Sequence, residues 1–141
     1  MQTSARNQFA GRVVSLTKGP VNTEVVIDSG GDQITATITT HSADKLGIRD
    51  GAEVYALVKA SSILIVPGSE NIKLSARNQL RGTVTECRKG AINAEVAVQL
   101  QGGKTVTAII TNESIDRLAL KEGDSVCAVF KASSVILGVG L

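Results

Sequence analysis

The chain has 141 residues, of which 43% are hydrophobic and 20% charged, and its formal net charge is only +2. This balance excludes a polybasic nucleic-acid surface, and Phe9, Tyr55 and Phe130 are too few aromatics for the stacking platforms that hold single strands. No stretch approaches the ~18 apolar residues of a membrane span, and the N-terminus lacks the pattern of a signal peptide. We expect a cytoplasmic protein with no membrane or nucleic-acid partner.

The chain is an internal duplication. Ser4-Ala5-Arg6-Asn7-Gln8 returns unchanged at 75–79, and the 23-residue segments that begin at Thr3 and Leu74 share 12 residues. The repeats predict two domains, at 1–68 and 74–141, joined by a linker at 69–73. Each half is near the lower size limit for an independent core, so we expect the halves or several chains to associate.

The predicted elements follow one order in both repeats. Five segments of the first repeat are extended in character, with β-branched or alternating apolar residues: 7–16, 22–28, 33–40, 54–59 and 62–66. Short helices are predicted at Thr40–Leu46 and Asn112–Leu118, each with a capping residue at its start. The second repeat has its fourth and fifth strands at 126–131 and 134–139, and Gly11 marks a bend or bulge in the first strand.

Five short strands and one small helix in each repeat are typical of a small barrel that hides its strand edges. The predicted fold is therefore all-β, with two tandem OB-like five-stranded barrels, each carrying one short helix.

Cysteine and histidine are not repeated. Cys87 and Cys127 occur only in the second repeat, and His41 only in the first, so neither a disulfide framework nor a metal cage of the usual ligands is predicted. We expect both thiols to be buried and His41 to lie on the surface. Because no Ser-His-acid or paired-carboxylate arrangement is visible either, we expect a protein that is not an enzyme.

Polar residues recur more faithfully than apolar ones. Three motifs, Ser-Ala-Arg-Asn, Thr-x-x-Ser and Lys-Ala-Ser-Ser, occur in both repeats and consist almost wholly of hydrogen-bond donors with two fixed cations. A tetrahedral dianion offers only acceptors, so such a set suits a small, fully ionised oxyanion. The absence of carboxylates from the motifs is expected to disfavour phosphate, which carries a proton near neutrality. The plainer interpretations are helix caps, surface arginines and solvated lysines.

The whole chain resembles the molybdenum-pterin-binding (Mop) domain, and its tandem form resembles the di-Mop molbindins. Four linked motifs carry the resemblance, each with its counterpart in the second repeat: Ser4-Ala5-Arg6-Asn7, Lys18-Gly19-x-x-Asn22-x-Glu24-Val25, Thr39-x-x-Ser42 and Lys59-Ala60-Ser61. The resemblance implies OB-like barrels, assembly into a homotrimer, and storage or buffering of molybdate, or tungstate, in the bacterial cytoplasm.

The resemblance also implies two classes of oxyanion site. The first lies between neighbouring domains and takes these residues of both repeats: Ser4, Arg6, Asn7, Thr39, Ser42, Lys59, Ala60 and Ser61, with Ser75, Arg77, Asn78, Thr111, Ser114, Lys131, Ala132 and Ser133. The second lies on the trimer axis and involves Asn22 and Asn93. Pro20 stands where the second repeat has Ala91. Because proline lacks a backbone N–H, the axial sites of the two repeats are expected to differ in affinity.

The residues alone leave two other classes of function open. An OB-fold regulatory or adaptor module would bind another protein or nucleic acid, although the few aromatics and the small net charge argue against nucleic acid. An enzyme acting on a molybdenum cofactor would need catalytic groups that the sequence does not display.

Overall fold

The computed structural model describes residues 2–140. It contains ten strands and two short α-helices, and the repeats have the same element order. The strands are Asn7–Lys18 (β1), Asn22–Ser29 (β2), Asp32–Thr39 (β3), Glu53–Val58 (β4), Leu64–Pro67 (β5), Asn78–Lys89 (β6), Asn93–Leu100 (β7), Thr105–Thr111 (β8), Ser125–Phe130 (β9) and Ile136–Gly138 (β10). The helices are Thr40–Leu46 (α1) and Asn112–Leu118 (α2).

The repeats exchange their fifth strands. The first sheet has the order β10-β4-β1-β2-β3 and the second the order β5-β9-β6-β7-β8. Strand β10 pairs with β4 through Ile136 and Leu57, while β5 pairs with β9 through Leu64 and Val129. Each sheet therefore takes four strands from one repeat and its last strand from the other.

The fold confirms the expected all-β class with two OB-like five-stranded barrels. Both helices have the predicted bounds. The fifth strands are shorter than predicted because a 3₁₀ turn, at Ala60–Ser62 and again at Ala132–Ser134, occupies the segment before each of them. Among the described residues, no helix is long and apolar enough to cross a membrane.

The prediction of an irregularity at Gly11 is wrong in its position. The register between β1 and β2 shifts between Val13 and Ser15, which leaves Val14 as the extra residue of a β-bulge. Gly11 serves a different purpose, because a Cβ at this position would lie 2.6 Å from the carbonyl oxygen of Asp28. The glycine thus permits the close approach of two strands.

A single apolar core joins the repeats. Val25, Ile34 and Ala56 of the first repeat belong to the same buried cluster as Val96 and Val106 of the second, and all five side chains are fully buried. Strand exchange makes this continuity possible because the last strand of each repeat packs within the other sheet.

Asn7 and Asn78 fasten each sheet to an edge strand of the other. The amide of Asn78 accepts from the N–H of Thr35 on β3 and donates to its carbonyl oxygen, both at 2.8 Å. Asn7 forms the same two hydrogen bonds with the backbone of Thr107 on β8, at 2.7 and 2.9 Å. Both asparagines are 2% exposed, so each side chain acts as a buried peptide group that pairs with an otherwise open edge.

We expect Asn78→Ala to lower the free energy of unfolding by about 2–3 kcal/mol, because it leaves the backbone groups of Thr35 without partners. Urea denaturation at equilibrium measures the loss. Asn71→Ala, at an exposed position between β5 and β6, is the matched control and should change stability by less than about 0.5 kcal/mol. Equal denaturation midpoints for the two variants would contradict the structural role of Asn78.

Candidate oxyanion site

Two grooves, at corresponding positions of the repeats, contain the Ser-Ala-Arg and Lys-Ala-Ser segments of the repeated motifs. Groove 1 has a volume of 390 Å³ and is lined by Thr3, Ser4, Ala5, Arg6, Leu57, Lys59, Ala60, Ser61, Ile109 and Ile136. Groove 2 has a volume of 430 Å³ and is lined by Thr37, Leu64, Leu74, Ser75, Ala76, Arg77, Val129, Lys131, Ala132 and Ser133. Each groove thus combines polar motifs of one repeat with two residues of the other, Ile109 and Ile136 in groove 1 and Thr37 and Leu64 in groove 2.

Strand register brings the two motifs together. Asn7, at the start of β1, pairs with Val58, at the end of β4, so the segment before β1 lies beside the segment after β4. The latter turns into the 3₁₀ helix, where Ala60 is 3% exposed and anchors the turn. Lys59 and Ser61 on either side of it remain exposed. The same arrangement recurs in groove 2.

The cations of each groove differ in their partners. Nη1 of Arg6 lies 2.7 Å from a carboxylate oxygen of Glu95, and Arg77 binds Glu24 through both of its terminal nitrogens, one of them at 3.0 Å. These bonds raise the pKa of both arginines, which stay charged. Lys59 and Lys131 form no ion pair with any residue in 2–140. Each groove therefore offers one paired and one unpaired cation.

The role of the two repeated glutamates was not predicted from the sequence. Glu24 and Glu95 belong to the repeated motif Lys-Gly-x-x-Asn-x-Glu, in which they had no predicted role. The structure places each of them against the arginine of the other repeat. A carboxylate therefore stands against the arginine of each groove, although neither glutamate is among the lining residues.

Glu95 has a second cationic partner. Arg88 stands opposite it in the pairing of β6 with β7, and Nη2 of Arg88 lies 2.8 Å from its carboxylate. Hydrogen bonds from Arg6 and Arg88 lower the pKa of Glu95 to about 2. This carboxylate is ionised at any physiological pH.

The Thr-x-x-Ser motifs cap the helices and do not line the grooves of a single chain. The hydroxyl of Thr39 accepts from the N–H of Ser42 at 3.1 Å, and Thr111 does the same for Ser114. The caps lie beside the predicted axial residues, because Asn22 pairs with Thr39 across β2 and β3; Asn93 and Thr111 form the equivalent pair in the second repeat. The predicted residues thus occupy two separate regions of the chain.

The two asparagines of the first motif lie outside both grooves. Asn7 and Asn78 follow the groove arginines directly in sequence, but their amides are engaged by the edge strands β8 and β3. Asn22 and Asn93 are exposed at the hairpin turns, where their carbonyl oxygens accept from the N–H groups of Gly19 and Gly90.

The unrepeated residues lie away from the grooves. Cys87 and Cys127 are half-buried, so the prediction that both thiols are buried was wrong. Burial, and then the charges of Asp124 and Glu122, raise the pKa of Cys87, which keeps this thiol protonated. His41 is exposed on α1, as predicted.

Comparison with known proteins gives one family. The family model described as the TOBE domain matches residues 3–65 and 74–137. The chain is similar to the cytoplasmic molybdate-binding protein ModG, solved with molybdate bound, at 49% identity and a TM-score of 0.95 over 99% of this chain and 100% of that chain.

Two curated relatives are longer. The chain is 44% identical over 140 residues to the molybdenum transport protein ModE of Herbaspirillum seropedicae, covering 99% of this chain and 52% of ModE. It is 41% identical over 140 residues to the molybdenum-pterin-binding protein MopA of Rhodobacter capsulatus, covering 99% of this chain and 53% of MopA. The chain thus spans about half the length of these relatives.

The lowered pKa of Glu95 predicts a pH-dependent contribution to stability. The pKa falls from an ordinary 4.5 to about 2 in the folded chain, so the ionised carboxylate stabilises the fold above pH 4.5 and loses this effect as the pH falls towards 2. We expect Glu95→Gln to lower the melting temperature at pH 7 by no more than about 3 °C, because the ion pairs are exposed.

Thermal unfolding from pH 7 to pH 2 measures this difference, which should vanish at the acid end. Glu70→Gln, at an exposed position between β5 and β6, is the control and should give no comparable difference. A constant offset for Glu95→Gln across the whole range would show that the ion pairs are not its cause.

Proposed function

Because the chain belongs to the TOBE domain family, we propose that it binds molybdate reversibly in grooves 1 and 2. Membership of the family confirms the resemblance to the tandem Mop proteins. The observation that carries the proposal is the composition of the grooves: each holds an arginine, an unpaired lysine and serine hydroxyls, in a chain similar over its whole length to molybdate-bound ModG.

The proposed chemistry is capture of a dianion without redox change. In groove 1, Arg6 and Lys59 supply the two positive charges that neutralise molybdate, and Ser4 and Ser61 donate hydroxyl hydrogens to its oxygens. Ala60 has only its backbone N–H to offer, at the start of the 3₁₀ turn. Groove 2 repeats this set with Arg77, Lys131 and the serines of the second repeat.

Release is assisted by the carboxylate partners of the arginines. The arginines keep a carboxylate partner while the groove is empty, so departure of the anion leaves no unpaired guanidinium. Tungstate has the same charge and tetrahedral shape, and we expect it to occupy the same grooves.

We propose a homotrimer as the functional assembly. Support comes from apolar side chains that are exposed at equivalent positions of both repeats: Val21 and Ile92 are 71% and 76% exposed, and Leu64 and Ile136 are 62% and 60% exposed. Repetition of such residues indicates a surface that another chain covers. In this assembly the helix caps at Thr39 and Thr111, with Ser42 and Ser114, would complete the grooves of a neighbouring chain.

Asn22 and Asn93 are proposed for the second class of site, near the trimer axis. Both are exposed at the ends of hairpins whose tips carry Val21 and Ile92. Asn7 and Asn78 are better assigned a structural role, because their amide groups already have backbone partners.

Storage or buffering in the cytoplasm is the proposed biological role, without catalysis. ModG is described as a cytoplasmic molybdate-binding protein, and the proposed binding set contains no nucleophile paired with a general base. A second candidate is a regulatory module, which the 52% coverage of the longer ModE protein favours. An electrophoretic mobility assay with labelled DNA, at stated salt, separates the two.

We expect Arg6→Ala to weaken molybdate binding in groove 1 by roughly tenfold or more, because a charge-assisted hydrogen bond is lost. Native mass spectrometry at increasing molybdate measures the occupancy and the mass of the assembly. Arg12→Ala is the matched control, since Arg12 pairs with Glu53 outside both grooves and should leave occupancy unchanged. Unaltered binding by Arg6→Ala would remove Arg6 from the site.

Molybdate should also raise the melting temperature of the chain, because it binds the folded grooves and not the unfolded chain. At a concentration 100 times the dissociation constant the added stability is about 2.7 kcal/mol for one site. Differential scanning fluorimetry with molybdate, sulfate and phosphate in parallel measures the effect. A larger shift with sulfate than with molybdate would contradict the proposed ligand.

A further inference from the structure

The two grooves are not electrostatically equivalent. Beside groove 1, Glu95 is paired with both Arg6 and Arg88. Beside groove 2, Arg77 is the one cation of the described residues that pairs with Glu24, and the residue opposite Glu24 in the strand pairing is Thr17. The difference is fixed by one position of the hairpin, occupied by arginine in the second repeat and by threonine in the first.

We propose that Arg88 makes groove 1 bind the oxyanion more tightly than groove 2, so that the grooves of one chain fill in a defined order. The inference rests on the function proposed above and assigns an affinity-determining role to a residue that does not line groove 1.

The physical reason is whether the glutamate carboxylate keeps a cationic partner after the anion has bound. An anion entering groove 1 draws Arg6 away from Glu95, but Arg88 remains 2.8 Å from that carboxylate and keeps it paired. An anion entering groove 2 draws Arg77 away from Glu24, which has no second cation within the described residues. An ionised carboxylate without a partner beside a bound dianion is repulsive, so the exchange costs more in groove 2.

Register holds Arg88 in this position. It faces Glu95 across the antiparallel pair of β6 and β7, and its other acidic neighbour, Glu86, is farther away at 3.8 Å. On the opposite side of Glu95, β8 places Ile109 against groove 1, whereas β3 places Thr37 against groove 2. The uncharged neighbour on this side cannot replace Arg88 as a partner of Glu95.

The test isolates each groove with an arginine substitution. Arg77→Ala weakens binding in groove 2, so that the affinity of groove 1 is measured. Arg6→Ala weakens binding in groove 1, so that the affinity of groove 2 is measured. Isothermal titration with molybdate should give a lower dissociation constant for the chain with Arg77→Ala. Adding Arg88→Thr to that chain should raise its dissociation constant roughly two- to fivefold, the scale of one exposed ion pair. Adding Arg88→Thr to the chain with Arg6→Ala should leave its dissociation constant unchanged.

Two further variants keep the outcome interpretable. Thr17→Arg in the chain with Arg6→Ala gives Glu24 a second cation and should lower the dissociation constant of groove 2. Arg117→Thr removes an equal charge at α2, where the partner is Glu113, and should change neither groove. If Arg88→Thr has no more effect than Arg117→Thr, or if both grooves bind equally, the inference is overturned. If the unmodified chain binds no molybdate, the proposed function fails, and this inference with it.

Discussion

The exchange of the fifth strands is the constraint on which the rest of the molecule depends. An unpaired sheet edge exposes backbone donors and acceptors that need partners, and here β5 and β10 each cover an edge in the other repeat. The shared core, the asparagine bridges and the arginine–glutamate pairs all cross between repeats. Neither groove could form from one repeat, since each contains residues of both.

Local structure could be predicted well from the sequence because its causes are local. Alternation of β-branched residues identified the strands, and capping residues identified both helices to the residue. The sheet that the fifth strand joins could not be predicted, because an apolar β-branched segment looks the same whether it pairs within its repeat or across it. The bulge at Val14 was also hidden, since no residue type there requires one.

The candidate site could be predicted in part. The repetition of polar residues identified Ser4, Arg6 and Lys59, and the structure brings all three into one groove. The partner of Arg6 is separated from it by 89 positions, a contact that spacing along the chain cannot reveal. The amide of Asn7 is bonded to β8, so a residue can be repeated because it holds the fold together, and repetition alone does not separate that cause from ligand binding.

Strand exchange also bears on how the chain is made. The first sheet lacks its last strand until β10 has been synthesised, long after β4, its neighbour in that sheet, has left the ribosome. The edge of β4 stays open during this interval, and domains generally fold in the order in which they emerge. A product truncated before Ile136 would leave the edge of β4 open and able to pair with other nascent chains.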